Sequence, residues 1–217
     1  MPTGSATGLP NDFPVMTIWR GKHPLILASH SRARQTLLAN AGIAFEAVPA
    51  DIDERAVQGN SGLTVPDNIA LLLAREKALF VSAKFPGRMV VGADQTLALG
   101  NRLFSKPTGR AQAAEQLRAL AGQSHQLCSA VAVARDGKIL FADASIARMT
   151  MRQLSGDEIR AYLDEAGEAV TSSVGAYQLE GLGVHLFERI EGDHFTILGL
   201  PLLPLLAFLR RERLLGV

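Results

Sequence analysis

LILASHSRARQTLLANAGIAFEAVP, residues 25–49, decides the class of fold. Pro24 to Ala28 is a short, unbroken apolar run, the pattern of a strand covered on both faces. Ser29-His30-Ser31 interrupts it, after which Arg34 to Ala41 sets Leu37 and Leu38 on one helical face. Gly42 suits the position just past a helix end, where a left-handed backbone is favoured. Ala44 to Val48 alternates as a second strand and Pro49 closes it. Strand, loop, helix and strand within one such stretch mark an α/β or mixed α+β chain.

Working outward, Asp51 to Pro66 reads as a polar loop and Asp67 to Phe85 as a helix, with Ile69, Leu72, Leu73, Ala74, Ala78 and Leu79 at helical spacing. Met89-Val-Val-Gly-Ala-Asp94 reads as a buried strand ending on a carboxylate, and Leu97 to Phe104 as a hairpin around Gly100-Asn101. A helix is expected over Ala111 to Leu120 and a strand over Gln126 to Ala134. Asp136-Gly137 turns that strand into Lys138 to Ala142, and Ala144 to Arg152 is again strand-like. Ser155-Gly-Asp-Glu158 is a capping box before a helix through Leu163. Val184 to Ile190 reads as a late strand. The most apolar segment, LGLPLLPLLAFL (198–209), is too short to cross a bilayer and reads as a buried terminal helix with Pro201 near its first turn.

The 217 residues suit one domain, and 47% hydrophobic residues supply a core. Twenty-two basic residues against 21 acidic ones give a net charge of +1, which argues against a chain drawn to nucleic acid or an anionic membrane by bulk charge. Cys128 stands alone, so neither a disulfide framework nor a multi-cysteine zinc site is expected, and a reducing compartment is the simplest setting. Aromatic residues make up only 6%, against stacking platforms for single strands. Residues 1–15 lack the basic and apolar regions of a secretory signal. We expect a flexible extension over 1–17 and a single domain over 18–217, with Met16 as sensible a start as Met1.

Three places could carry chemistry. Ser29 to Arg34 lies between a buried strand and a helix N-terminus, where free N–H groups, hydroxyls and a guanidinium suit phosphate oxygens; either serine could equally be an N-cap. Asp94 could ligate a cation or act as general base toward water, or be a turn aspartate. Lys106, followed by Pro107, and Lys77 could neutralise phosphate charge or be surface lysines. Glu54 adds an acid of a kind that is more often a solvated loop residue, and the five histidines show no metal-ligand spacing. Together, a hydroxyl and Arg loop, an acid pair and two lysines point to a metal-dependent reaction at a phosphate.

From about Pro24 to Arg211 the chain resembles the Maf-like nucleoside triphosphate pyrophosphatases. The resemblance lies in LILASHSRARQTLLANAGIAFE (25–46) and in DIDE (51–54), AREKA (74–78), VVGADQT (90–96), KP (106–107), LRALAGQSH (117–125), VGAYQLEG (174–181) and GDHFTILGLPL (192–202). It implies a twisted mixed sheet flanked by helices, with two lobes around a nucleotide cleft. It also implies a divalent cation, Mg²⁺ or Mn²⁺, and water attack on the α-phosphorus to release a nucleoside monophosphate and pyrophosphate. By motif position, Asp94 would accept the proton and Glu54 and Asp94 would face the metal. Lys77 and Lys106 would screen the triphosphate, and Ser29, Ser31 and Arg34 would grip its oxygens. The further expectations are a cytoplasmic enzyme that clears non-standard nucleotides, with a homodimer as a possible assembly, acting on neither nucleic acid nor membrane.

Three specificity positions separate branches of that family. This chain has Ala33, Gln95 and Glu180, and the last two match the branch of 7-methyl-GTP pyrophosphatases. The Glu180 carboxylate could accept hydrogen bonds from a guanine-type N1–H and 2-amino edge, a donor pair that thymine lacks. The usual S-x-S-P-R-R loop reads Ser29-His30-Ser31-Arg32-Ala33-Arg34, and the usual D-K-A-G-A-Y reads Ser172-Ser173-Val174-Gly175-Ala176-Tyr177, without its lysine. These departures leave an alternative from another class, a nucleotide-binding regulator of cell division and septum formation with little turnover.

Overall fold

The computed structural model describes residues 18–216; the extension expected over 1–17 lies outside the described residues. Its order is β1 (Leu25–Leu27), α1 (Arg32–Asn40), β2 (Phe45–Ala47), α2 (Glu54–Ser61), α3 (Pro66–Ser82), β3 (Val90–Leu99), β4 (Arg102–Phe104), α4 (Arg110–Leu120), β5 (Ser124–Arg135), β6 (Lys138–Met151), α5 (Gly156–Ala166), β7 (Phe187–Glu191), α6 (His194–Ile197) and α7 (Leu202–Arg211). Three short 3-10 turns lie between α5 and β7.

The strands form one mixed sheet, ordered β2-β1-β3-β5-β6-β7, with β4 also paired to β3. β1 runs parallel to β2 and β3, and the other pairings are antiparallel. β3 pairs with β5 along one whole edge, from Val90 to Ala98. Its other edge is shared: β1 takes Val90 and Val91, and β4 takes Leu97 to Leu99. Residues 92–96 therefore have no strand beside them on that side.

Helices cover both faces. On one, Ala70, Ala74 and Ala78 of α3 pack against Ala130, Ala132 and Ala134 of β5, and these small side chains bring helix and sheet close. The contact is closest at Gly92, where a Cβ would lie 2.1 Å from the Ala74 carbonyl oxygen and 2.7 Å from the Ala78 nitrogen. On the other face, α1 and α7 bury Leu37, Leu38, Leu205, Phe208 and Leu209 against Val91, Ala93, Val131 and Val133. A second large cluster, around Leu97, Leu117, Leu127, Met149, Leu163 and Tyr177, gathers β3, β5 and β6 with α4 and α5.

The capping box at Ser155 and Glu158 forms as expected, and Gly42 has φ +68° just beyond α1. Four expectations are corrected. The polar segment 51–66 contains α2, which the Asp53 carboxylate starts by accepting from the Ala56 N–H and which Gly62 ends at φ +66°. β3 does not end at Asp94, because pairing with β5 and then β4 carries it on to Leu99. The segments 138–142 and 144–152 merge into β6, held throughout by β5. The late strand starts at Phe187, after a 3-10 turn over Leu182–Leu186.

Candidate active site

β1 ends at Leu27, and the chain turns over the open edge of β3 before α1 begins. The Ser31 hydroxyl caps α1 by accepting from the Arg34 N–H at 3.4 Å, one of the two readings its sequence position left open. Ser29, buried beneath it, accepts from the Ser31 N–H and from Arg34 Nη1, each at 3.2 Å. Arg34 points back into the sheet. Its Nη1 donates to the Ala93 carbonyl at 2.9 Å, inside the stretch of β3 that lacks a neighbour, and its Nε donates to the Gly199 carbonyl at 2.7 Å. A guanidinium thus stands where a strand would otherwise pair. Burial pulls it below its ordinary pKa, opposed by the charges of Asp94 and Glu54; it stays protonated.

Asp94 projects from the same open stretch toward α3 and is only 7% exposed. Lys77 of α3, equally buried, donates to Asp94 Oδ1 at 2.6 Å and meets Glu54 Oε1 at 2.7 Å. One ammonium therefore bridges two carboxylates, one buried and one half exposed. Burial pushes the Asp94 carboxyl above its usual range, while Lys77 and Arg34 pull it back. A carboxylate with raised proton affinity is suited to accept a proton from water. Glu54 reaches this point because α2 begins with it, directly after the Asp53 cap.

These groups open into a cleft of about 590 Å³. Of the residues singled out in the sequence, Ser31, Ala33, Arg34, Glu54, Lys77, Asp94, Gln95, Lys106 and Glu180 line it together. Ser29 does not; it lies behind Arg34 as that residue's support. Lys106 is exposed at the rim and makes no ion pair among the described residues. The usual lysine position, Ser173, also lines the cleft, whereas His30 and Arg32 do not. Arg55 and Gln58 of α2 were missed, because reading 51–66 as a loop hid the face they share; the Asp53 cap and Gly62 stop were the local signals. Tyr177, also unassigned, is buried in the wall, with its hydroxyl 2.7 Å from His125 Nε2.

Gln95 is half-buried, with Nε2 donating toward Ser129 Oγ at 2.9 Å, the Ile197 carbonyl at 3.0 Å and the Thr196 carbonyl at 3.2 Å. Among the described residues no group of three or more His, Cys, Asp or Glu side chains is placed to hold a metal. The protein offers Glu54 and Asp94, a hard, all-oxygen pair. Mg²⁺ is commonly held by one or two carboxylates and completed by substrate phosphates and water, so this donor set fits such a cation. No helix among the described residues is long and apolar enough to cross a membrane.

Comparison with known proteins identifies the family. The chain is 72% identical over 202 residues to "Nucleoside triphosphate pyrophosphatase" of Bradyrhizobium diazoefficiens, covering 93% of this chain and 100% of that one. It is 67% identical to a protein of the same description from Rhodopseudomonas palustris, over 93% of this chain and 100% of the other. It is 55% identical to "7-methyl-GTP pyrophosphatase" of Brucella abortus, over 87% of this chain and 96% of that one. A solved structure, the nucleoside-triphosphatase / dITP/XTP pyrophosphatase of Mycobacterium abscessus, aligns with 61% of this chain and 76% of its own at 16% identity and a TM-score of 0.35. A family model described as "Maf-like protein" matches residues 24–212, which takes in every cleft residue named above, and the chain belongs to that family.

Proposed function

We propose that the chain is a nucleoside triphosphate pyrophosphatase, hydrolysing the α–β phosphoanhydride of non-standard or modified nucleotides, of the 7-methyl-GTP kind, in the cytoplasm. The observation that carries this reading is the Lys77 ammonium held between Glu54 and Asp94, with Arg34 and Lys106 facing the same cleft. A triphosphate needs its charge screened before water can approach phosphorus, and the cleft concentrates cations around a buried base.

Asp94 accepts a proton from water as the water oxygen bonds to the α-phosphorus. The bond from that phosphorus to the α–β bridging oxygen breaks, and its electron pair leaves with pyrophosphate. Lys77 keeps Asp94 oriented and charged before the transfer. Arg34 and the Ser31 hydroxyl, whose own proton has no acceptor among the described residues, face the phosphates from α1. Lys106 meets the pyrophosphate end from the rim. Glu54 and Asp94 would hold a divalent cation, Mg²⁺ or Mn²⁺, which would supply further charge neutralisation. Gln95 and Glu180 face the base, and Ala33 leaves room beside it.

Purified protein with Mg²⁺ and 7-methyl-GTP, GTP, dTTP, UTP and modified pyrimidines should yield monophosphate and pyrophosphate. Diphosphate and orthophosphate would refute the bond assignment, and a preference for dTTP or UTP would refute the base reading at Gln95 and Glu180. Asp94→Asn should lower kcat by about 10²–10⁴-fold, the usual scale for a lost general base. Nucleotide Kd, measured by calorimetry in the absence of a divalent cation, should change little. An unaltered chain that binds but never hydrolyses would favour the septum regulator instead.

A further inference from the structure

Ser129 is fully buried in β5, directly opposite Gln95 in the β3–β5 register. It does not line the cleft, and nothing in the proposed mechanism uses it. Its hydroxyl donates to the Thr196 carbonyl at 2.7 Å. A hydroxyl has a single proton, so once that proton is committed, Oγ can only accept from its other neighbour, Gln95 Nε2. The carbonyls of Thr196 and Ile197, at the C-terminal end of α6, are likewise acceptors only.

Three acceptors thus surround the Gln95 amide nitrogen and its two hydrogens. An amide turned the other way would set its oxygen against two carbonyl oxygens. The amide orientation therefore follows from the acceptors around it. Oε1 accepts from no group among the described residues and is not among the buried unpaired polar atoms, so the oxygen is the amide atom left for a ligand.

We infer that Ser129 is a positioning residue for nucleotide selection: by committing its proton to Thr196, it holds the Gln95 amide so that the cleft presents Oε1, an acceptor, to the base. This rests on the proposed nucleotide-hydrolysing function for the part played by Gln95. Glu180 adds a second acceptor on the same cleft, so the base selected is one whose facing edge carries hydrogen-bond donors. In Ser129→Ala the Thr196 carbonyl loses its donor, the Gln95 amide is drawn toward it, and Oε1 is displaced from the base.

A double-mutant cycle on the purified full chain tests this, with Ser129→Ala, Gln95→Met and the double variant assayed on the best substrate of the panel. Ser129→Ala should raise KM about five- to tenfold with kcat within twofold, and should have no further effect in the Gln95→Met background. An equal effect in both backgrounds, or a fall in kcat alone, overturns the inference, because a merely structural serine would act regardless of Gln95. Hydrogen exchange of the Gln95 side-chain NH₂, identified by its loss in Gln95→Met, gives a readout independent of turnover. It should be slow in the unaltered protein and at least tenfold faster in Ser129→Ala; unchanged exchange overturns the inference. If the unaltered protein hydrolyses no triphosphate while the exchange result holds, the proposed function fails and the Ser129 lock stands.

Discussion

His125 shows what one buried side chain does to the pH response. It is 1% exposed; Nε2 meets the Tyr177 hydroxyl at 2.7 Å and Nδ1 has no partner among the described residues. Burial holds its pKa down to about 4, against an ordinary 6.5. Between those values the unfolded chain binds a proton that the folded chain does not, so stability rises with pH. The contribution is complete above about pH 6.5 and lost as pH falls toward 4, roughly 3 kcal/mol in all. Urea unfolding at pH 7.5 and pH 4.5 should show this loss in the unaltered protein and a clearly smaller one in His125→Gln. Equal losses would show that another group dominates. Because Tyr177 lies in the cleft wall, the same acid range should disturb the site before the whole chain unfolds.

At the scale of elements, the approach of α3 to β3 sets the distance between Lys77 and Asp94. Gly92 lies two residues before Asp94 on the same face, and only hydrogen fits between it and the α3 backbone. Gly92→Ala should destabilise by about 3 kcal/mol, at or above the upper end for overpacking a core, since the atoms it meets are backbone that cannot rotate away. In protein that still folds, kcat should fall as well, because α3 carries Lys77. A denaturant midpoint unchanged from the parent would refute the close contact. Much of this element structure was legible locally: the apolar run before Ser29, the helical spacing around Leu73 and Ala74, and the Ser155 box each determine their own neighbourhood. α2 was not, because it buries no residue and so lacks an apolar stripe, and its caps alone mark it. Asp94 as a mid-strand residue was not legible either. Strand length there depends on β5, 36 positions onward in the register with Ala130 at Asp94, and on β4 completing the far edge. The identities of Glu54, Lys77 and Arg34 were available in the sequence, but one ammonium bridging two acids is a tertiary fact.

For the molecule as a whole, β3 and β5 run through both large hydrophobic clusters. Val91 and Val131 belong to the one under α1 and α7, Leu97 and Leu127 to the one under α4 and α5. Neither cluster can lose its sheet without the other, so equilibrium unfolding should be a single transition. Trp19, packed on the first cluster and bridged to Leu215, is a natural reporter. Its fluorescence and the far-ultraviolet circular dichroism should give coincident urea curves; separated midpoints would mean that the clusters unfold independently. The missing neighbour along residues 92–96 has its own consequence at this scale. A continuous weave would seal its central strand from solvent, and this one leaves a single dropped stitch, darned by an arginine. Beside it the most sheltered layer of the molecule keeps a porthole, so an acid planted deep in the fabric can still trade a proton with the outside.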